Sequence, residues 1–231
     1  MSPAAATETG ARPDLRHVGA WIFDLDNTLY PPGTEFMALI EGKIKDFVSR
    51  QTGLPPDEAW DLQKRYLNAH GTALAGLMAF HGVEPHAFLD EIHDVSLDSL
   101  QPDPELRAAL ARLPGRRLVF TNGSAWHAER VLDRLDLADL FDEVFHLEAA
   151  QLISKPDPAA FDLFIKAHAV TPAESAFFED RAINLEPAAR LGMTTVLVGP
   201  RAAENADRFV DFRTPAIPPF VNAARLQETA P

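Results

Sequence analysis

Trp21-Ile22-Phe23-Asp24-Leu25-Asp26-Asn27-Thr28-Leu29-Tyr30 begins with three bulky apolar residues and then turns acidic. The apolar run is too short for a helix and is bounded by polar residues, the pattern of a strand buried on both faces of a parallel sheet. Three further runs repeat it. Leu118-Val119-Phe120 ends in Thr121-Asn122-Gly123, Ala176-Phe177-Phe178 in Glu179-Asp180, and Val196-Leu197-Val198 in Gly199-Pro200. Helical stretches lie between them. Ser124 can cap one that carries Val131 and Leu135, and Asp157, with Pro158 behind it, can cap another through Phe161, Phe164, Ile165 and His168. Strands alternating with helices predict an α/β fold with a doubly wound parallel sheet. A short strand is expected near Val210–Phe212 and a helix near Val221–Gln227.

One stretch interrupts the alternation. From Thr34 to Leu100 the periodicity is helical, with Phe36, Ile40, Ile44 and Phe47 on one stripe, and Pro31-Pro32-Gly33 and Pro102-Asp103-Pro104 as turn signals on either side. The expected organisation is a lead-in over 1–17, a core formed by 18–33 with 101–231, and an inserted domain of about four helices over 34–100. The first 17 residues are small, polar and punctuated by proline, without the apolar middle of a secretory signal, and are expected to be flexible.

The chain of 231 residues is 46% apolar, enough to bury a sizeable core, and carries a formal net charge of −13. That balance disfavours nucleic acid or an anionic membrane surface as the main partner, and no run reaches the roughly 20 apolar residues of a membrane span. The absence of cysteine excludes disulfides, thiolate catalysis and cysteine metal sites. A cytoplasmic protein is expected, and its oligomeric state is left open.

In a doubly wound sheet, ligands bind beyond the carboxyl ends of the strands, and the polar clusters of this chain fall there. Asp24 and Asp26 are two residues apart and can face one volume; like charges that close are costly unless a cation such as magnesium lies between them. One carboxylate can then attack phosphorus while the other moves protons, although an acidic turn would use the same residues. Thr121-Asn122-Gly123-Ser124 opens a helix and can hold an anion or simply cap that helix. Lys155, between Ser154 and Pro156, can set a positive charge on a phosphate or lie on the surface. Glu179-Asp180 can complete a metal site or serve an acidic helix start.

The order of these motifs resembles the haloacid-dehalogenase superfamily from about Trp21 to Val198, and the helical stretch resembles that superfamily's cap. The resemblance implies Asp24 as nucleophile and metal ligand, and Asp26 as general acid and base with its backbone carbonyl on the metal. It implies Thr121, Asn122 and Lys155 as phosphoryl binders and Asp180 as a metal ligand, with Glu179 on the metal or its water and Asn184 behind them. The implied activity is a magnesium-dependent phosphatase working through an aspartyl phosphate. A narrower resemblance, in His70–Leu77 and Phe120–Arg130 together with Asp24–Pro31, is to the pyrimidine 5′-nucleotidase group. It suggests His70, Thr72 and His127 as substrate contacts and a nucleoside monophosphate, UMP or CMP, as substrate. Gly71 and Gly76 can instead mark close helix packing, and His127 can be a capping or surface residue. The alternatives are another small phosphomonoester, such as a sugar phosphate or a lysophospholipid, or a non-catalytic phospho-ligand module. Carbon–halogen hydrolysis uses neither an acid at position 26 nor the Glu179-Asp180 pair. The other histidines, His93 among them, show no ligand spacing.

Overall fold

A computed structural model describes residues 12–227. Six strands form one parallel sheet: β1 (Ala20–Phe23), β2 (Arg116–Phe120), β3 (Glu143–Phe145), β4 (Ser175–Glu179), β5 (Thr194–Val198) and β6 (Phe212–Thr214), in the order β3-β2-β1-β4-β5-β6. Four helices, α1 (Glu35–Thr52), α2 (Pro56–His70), α3 (Ala73–His81) and α4 (Pro85–His93), lie between β1 and β2, followed by α5 (Pro104–Ala111). The remaining crossovers carry α6 (Ala125–Arg134), α7 (Pro158–His168) and α8 (Ala182–Leu191), and α9 (Ile217–Ala223) follows β6. The doubly wound parallel sheet expected from the alternation is the fold of the chain.

Alternation along the short strands feeds two cores. Trp21, Phe23, Val119 and Phe178 pack on one face with α5, α6 and α9, and Ile22, Leu118, Phe120 and Phe177 on the other with α7 and α8. Phe23 stacks on Phe178 at 4.7 Å between ring centroids, and Phe120 on Phe164 at 4.7 Å. Such rings each bury enough apolar surface to contribute roughly 1.5–3 kcal/mol. The stripe on α1 does two jobs: Phe36 and Ile40 join the first core, while Val48 joins a third cluster with Leu62, Leu74, Leu77 and Phe88 inside the inserted helices. α1 is therefore the helix through which the insert joins the first core.

Gly71 and Gly76 are close-approach positions. A Cβ on Gly71, whose φ is +84°, would lie 2.5 Å from the Lys155 carbonyl, and one on Gly76 would lie 2.2 Å from the Tyr66 ring.

Three expectations are corrected, and two elements carried no expectation. The last strand is Phe212–Thr214, because Phe212 pairs with Val196, whereas Val210 is apolar for core packing. The last helix starts earlier, at Ile217, since Pro218 and Pro219 fit a first turn that needs no N–H partners. The three-residue β3 and helix α5 had no sequence signal strong enough to name. Most of the lead-in lies outside the described residues, but its end is pinned: Leu15 is buried, its N–H donates to the Arg225 carbonyl at 2.9 Å, and Arg225 N–H donates to Pro13.

Candidate active site

β1 has β2 on one side and β4 on the other, so their three carboxyl ends are neighbours at the point where the winding reverses. Asp24 follows β1, Thr121 follows β2, and Glu179 and Asp180 end β4. Phe23 is level with Val119 and Phe178, and the Asp24 N–H still donates to the Phe178 carbonyl at 2.9 Å. The sheet therefore places Asp24 without help from any loop. All four residues line a cavity of about 350 Å³ closed on its other side by α1 to α4.

Lys155 lies beneath the acids. It is fully buried, and its three ammonium N–H groups donate to Asp24 Oδ1 at 2.7 Å, Glu179 Oε2 at 2.8 Å and the Phe120 carbonyl at 2.6 Å. All of its donors are used. In this arrangement Lys155 does not face the cavity as a phosphate binder; it holds the two carboxylates. Asn122 holds Lys155 in turn: its amide NH₂ donates to the Lys155 carbonyl at 3.0 Å and its Oδ1 accepts the Lys155 N–H at 2.8 Å. That reciprocal pair occupies the Asn122 side chain.

Oxygens of Asp24, Glu179 and Asp180 lie within 4.8 Å of one another, three carboxylates against one ammonium. Burial, then the charge of Glu179, pushes Asp24 up to about 7, with Lys155 pulling the other way. Burial, then Glu179 and Asp24, pushes Asp180 up to about 10. Glu179 itself is lowered: Lys155, Asp180 and the Arg181 N–H outweigh its burial. The excess negative charge suits a hard divalent cation, and the donor set is all oxygen. Asn184 Oδ1 is buried, has no hydrogen-bond partner among the described residues, and lines the same cavity. The residues present fit a metal ion, which Asp24, Glu179 and Asp180 could hold.

Asp26 is set apart from this trio. Its Oδ1 accepts from Tyr30 Oη at 2.6 Å and from His127 Nε2 at 2.8 Å. Burial alone would raise its pKa, but the charge and hydrogen bond of His127, with Tyr30, overcome that and hold Asp26 at about 2. Asp26 thus rests ionised, and a phosphate dianion arriving beside it favours proton uptake.

The expected substrate contacts are divided. Thr72 lines the cavity while its Oγ1 accepts the Ala75 N–H at 3.1 Å as the cap of α3. His70 is the exposed last residue of α2 and lies outside the cavity. His127 is 1% exposed and stands behind Asp26 rather than on the cavity wall. Four cavity residues were missed from sequence alone or left without a role: His93, Gln63, Arg181 and Phe88. Arg181 reaches across to donate to the Gly71 carbonyl at 3.2 Å. Its position directly after the acidic pair was the only signal for it; the others are ordinary helix residues.

A carboxyl pushed up in the folded state favours folding at low pH, and that benefit is lost as pH rises from its unfolded value of 3.8 through its folded one. For Asp180 the window runs from about 4 to about 10. Asp180→Asn is therefore expected to raise the melting temperature of metal-free protein at pH 8 by a few degrees, roughly 1–2 kcal/mol, with little change at pH 5. The same variant should lose the stabilisation that magnesium gives the wild type. A lower melting point at pH 8, or an intact magnesium response, would contradict the charge argument.

The pattern of the haloacid dehalogenase-like hydrolases matches residues 18–192. Phosphate metabolism protein 8 of Saccharomyces cerevisiae is 30% identical over 193 residues, which is 77% of this chain and 60% of that protein, so the chain spans less than two thirds of that relative's length. Among solved structures, the L-2-haloacid dehalogenase of Xanthobacter autotrophicus superposes with a TM-score of 0.57 at 18% identity, over 89% of this chain and 97% of its own. A HAD phosphatase from Thermococcus onnurineus does so with a TM-score of 0.57 at 20% identity, over 87% and 94%. Those two share the fold; the match over residues 18–192, taken with the acids at the ends of β1 and β4, makes this chain a member of the haloacid dehalogenase-like hydrolases.

Proposed function

We propose that the protein is a magnesium-dependent phosphomonoesterase that works through an aspartyl phosphate on Asp24. The observation that carries this reading is the meeting of Asp24, Glu179 and Asp180 over a buried Lys155, with a separately held Asp26 at the same cavity. Dehalogenation has no use for such an excess of carboxylates. The relative named for phosphate metabolism and the HAD phosphatase with the same fold point in the same direction.

In the proposed reaction Asp24, held by Lys155 and by Thr28 Oγ1 at 3.2 Å, attacks phosphorus along the line of the leaving oxygen. The Asp24–phosphorus bond forms as the ester P–O bond breaks, and a protonated Asp26 delivers its proton to the leaving oxygen. A water then enters; Asp26 takes its proton, the new P–O bond forms and Asp24 leaves as a carboxylate. Proton transfer of this kind contributes about 10²–10⁴-fold. When bound, magnesium supplies positive charge for the phosphoryl oxygens and keeps Asp24 ionised despite its burial. Thr121, 1% exposed at the end of β2, and Gly123, in the loop before α6, line the cavity on the side proposed for the phosphoryl group.

The proposed substrate is a pyrimidine nucleoside monophosphate. Ile40, Ile44, Leu74, Phe88, Leu89 and Ile92 make the insert side of the cavity apolar, which offers a hydroxyl-rich sugar little. Polar side chains there are few, Gln63 among them with Glu41, Lys64, Thr72 and His93. Gln63 is 7% exposed, lines the cavity and makes no hydrogen bond among the described residues, so its amide has a donor and an acceptor free for the edge of a planar base. The same apolar wall favours a second reading, an alkyl or acyl phosphomonoester such as a lysophosphatidate. Comparing kcat/KM for UMP, CMP, AMP, GMP, a hexose phosphate and a lysophosphatidate decides between them. UMP or CMP should lead by at least about tenfold, and Gln63→Leu should remove that lead. A lysophosphatidate at the head of the panel, unaffected by Gln63→Leu, selects the second reading.

A further inference from the structure

We propose that Tyr30 and His127 are positioning residues that pin Asp26 by its Oδ1, leaving Oδ2 as the oxygen that exchanges protons, and that His93 seats His127 from the inserted helices. The proposal rests on the reading of Asp26 as the proton-transfer group.

Two donors converge on one oxygen. Tyr30 Oη and His127 Nε2 both reach Asp26 Oδ1, at 2.6 and 2.8 Å, and a carboxylate can only accept, so both atoms carry the proton of their bond. Two donors occupy the lone pairs of that oxygen. Oδ2 meets no donor among the described residues. It lies 3.7 Å from the point a Cβ on Gly123 would occupy, above the loop that begins at Thr121. The side chain of Asp26 keeps a quarter of its surface exposed, whereas that of His127 keeps 2%. The reachable edge of Asp26 is therefore the Oδ2 edge, which faces the site of the phosphoryl group.

The donors are themselves held. The His127 ring lies nearly parallel to Phe36, at 5.8 Å and 4°, and to His93, at 4.1 Å and 21°. A ring packed by two others cannot swing its Nε2 away. Tyr30 is 4% exposed and packs edge-on against Phe36 at 5.8 Å. His93, the last residue of α4, is 5% exposed, and its Nδ1 lies 3.0 Å from Ser124 Oγ, the same oxygen that accepts the His127 N–H and starts α6. Arg130, one turn on, donates to the His93 carbonyl at 2.9 Å and to the Val95 carbonyl at 3.0 Å. The end of the insert is thereby fastened to the helix that orients Asp26. Phe36 from α1 and His93 from α4 both belong to the insert, so its placement over the sheet and the direction of the Asp26 carboxyl are set together.

A misplacement of about 1 Å in a catalytic group can cost on the order of 10²-fold. The loss should grow with the basicity of the leaving group, because only poor leaving groups need the proton. The test measures kcat at saturating magnesium for p-nitrophenyl, phenyl and simple alkyl phosphates. His127→Phe keeps the stack and removes the donor; it should lose about 10–100-fold on alkyl phosphates and no more than about threefold on p-nitrophenyl phosphate. His127→Gln, whose amide can replace the Nε2 donor, should recover most of that loss although its stacking is poorer. Tyr30→Phe and His93→Leu should show the same slope with smaller amplitude. An equal loss across all leaving groups in His127→Phe, or a His127→Gln no better than it, would overturn the proposal, and an unchanged slope in His93→Leu would overturn the part played by the insert. If His127→Phe does not fold, His127→Gln and Tyr30→Phe carry the comparison. Asp26→Asn is the control: a flat response there means that the proton-transfer reading of Asp26 has failed, whatever His127 does.

Discussion

Asp24→Asn is expected to lower phosphomonoester turnover by about 10⁴-fold or more and to leave the protein folded. The two halves of that expectation have different origins. An amide cannot form the acyl phosphate, so the reaction loses its first covalent step and is left with whatever positioning and charge supply. Stability should hold because the Asn Oδ1 can still accept from Lys155, the contact that Asp24 makes at 2.7 Å. Ionised Asp24 is also costly in the metal-free site, being pushed up to about 7 by burial and then by Glu179. Its replacement by a neutral amide should leave the metal-free melting temperature equal to or above that of the wild type. Acid-quenched protein should carry labelled phosphate after brief exposure to substrate in the wild type and none in the variant. A folded Asp24→Asn retaining a few per cent of activity would place the nucleophile elsewhere.

How far the sequence could be read depended on whether a feature is local. The strands at Trp21, Leu118, Ala176 and Val196 were legible because each is an apolar run ended by polar residues, and burial on both faces of a parallel sheet requires that pattern. Ser124 and Asp157 announced their helices because a side-chain oxygen at the first turn has a specific partner, here the N–H of His127 and of Ala159. β3 was not legible. It is three residues at a sheet edge, Glu143–Phe145, with only Phe145 buried, too short for any period to show. The last strand was displaced because Val210 is apolar for packing and not for pairing, and the last helix because its two prolines belong to its first turn.

The same distinction applies to the site. The acids were found because strand ends bring them together, and that follows from topology alone. What surrounds them is tertiary. Nothing in the order of residues says that Lys155 would use all three of its donors on protein, since its partners Asp24 and Phe120 are more than thirty positions away. Asn122 looked like a phosphate ligand for the same reason; its two bonds to Lys155 appear only when β2 and the start of α7 are set side by side. His127 and His93 are 34 positions apart and stack at 4.1 Å, a contact that exists only once the insert has folded back over α6. His70 shares a helix face with Gln63, seven residues earlier, and differs from it in position along α2: Gln63 lies mid-helix against the cavity, whereas His70 is the exposed last residue and lies outside it.

Lys155→Met is expected to produce the largest stability loss of any single substitution near the site, about 3–5 kcal/mol, which for a chain of this length is a melting-point drop of roughly 6–20 °C. Methionine matches the length of the lysine stem, so the change removes charge and donors while leaving little void. It strands Asp24 and Glu179, two carboxylates whose side chains are 9% and 1% exposed, with no cation beneath them, and leaves the Phe120 carbonyl without its 2.6 Å partner. Breaking a buried pair costs more than the pair contributes, because the surviving charge keeps its desolvation penalty. Turnover should fall as well, since Asp24 loses the contact that orients it. The two effects can be separated. Lys155→Met combined with Glu179→Gln removes one of the stranded charges and should recover a substantial part of the stability, while activity stays lost because the ammonium that holds Asp24 is still missing. The double-mutant cycle, read by thermal melts and by kcat on p-nitrophenyl phosphate, should therefore show strong coupling in stability and none that restores catalysis. A Lys155→Met protein that melts with the wild type would mean that Asp24 and Glu179 do not rely on this lysine for their charge balance.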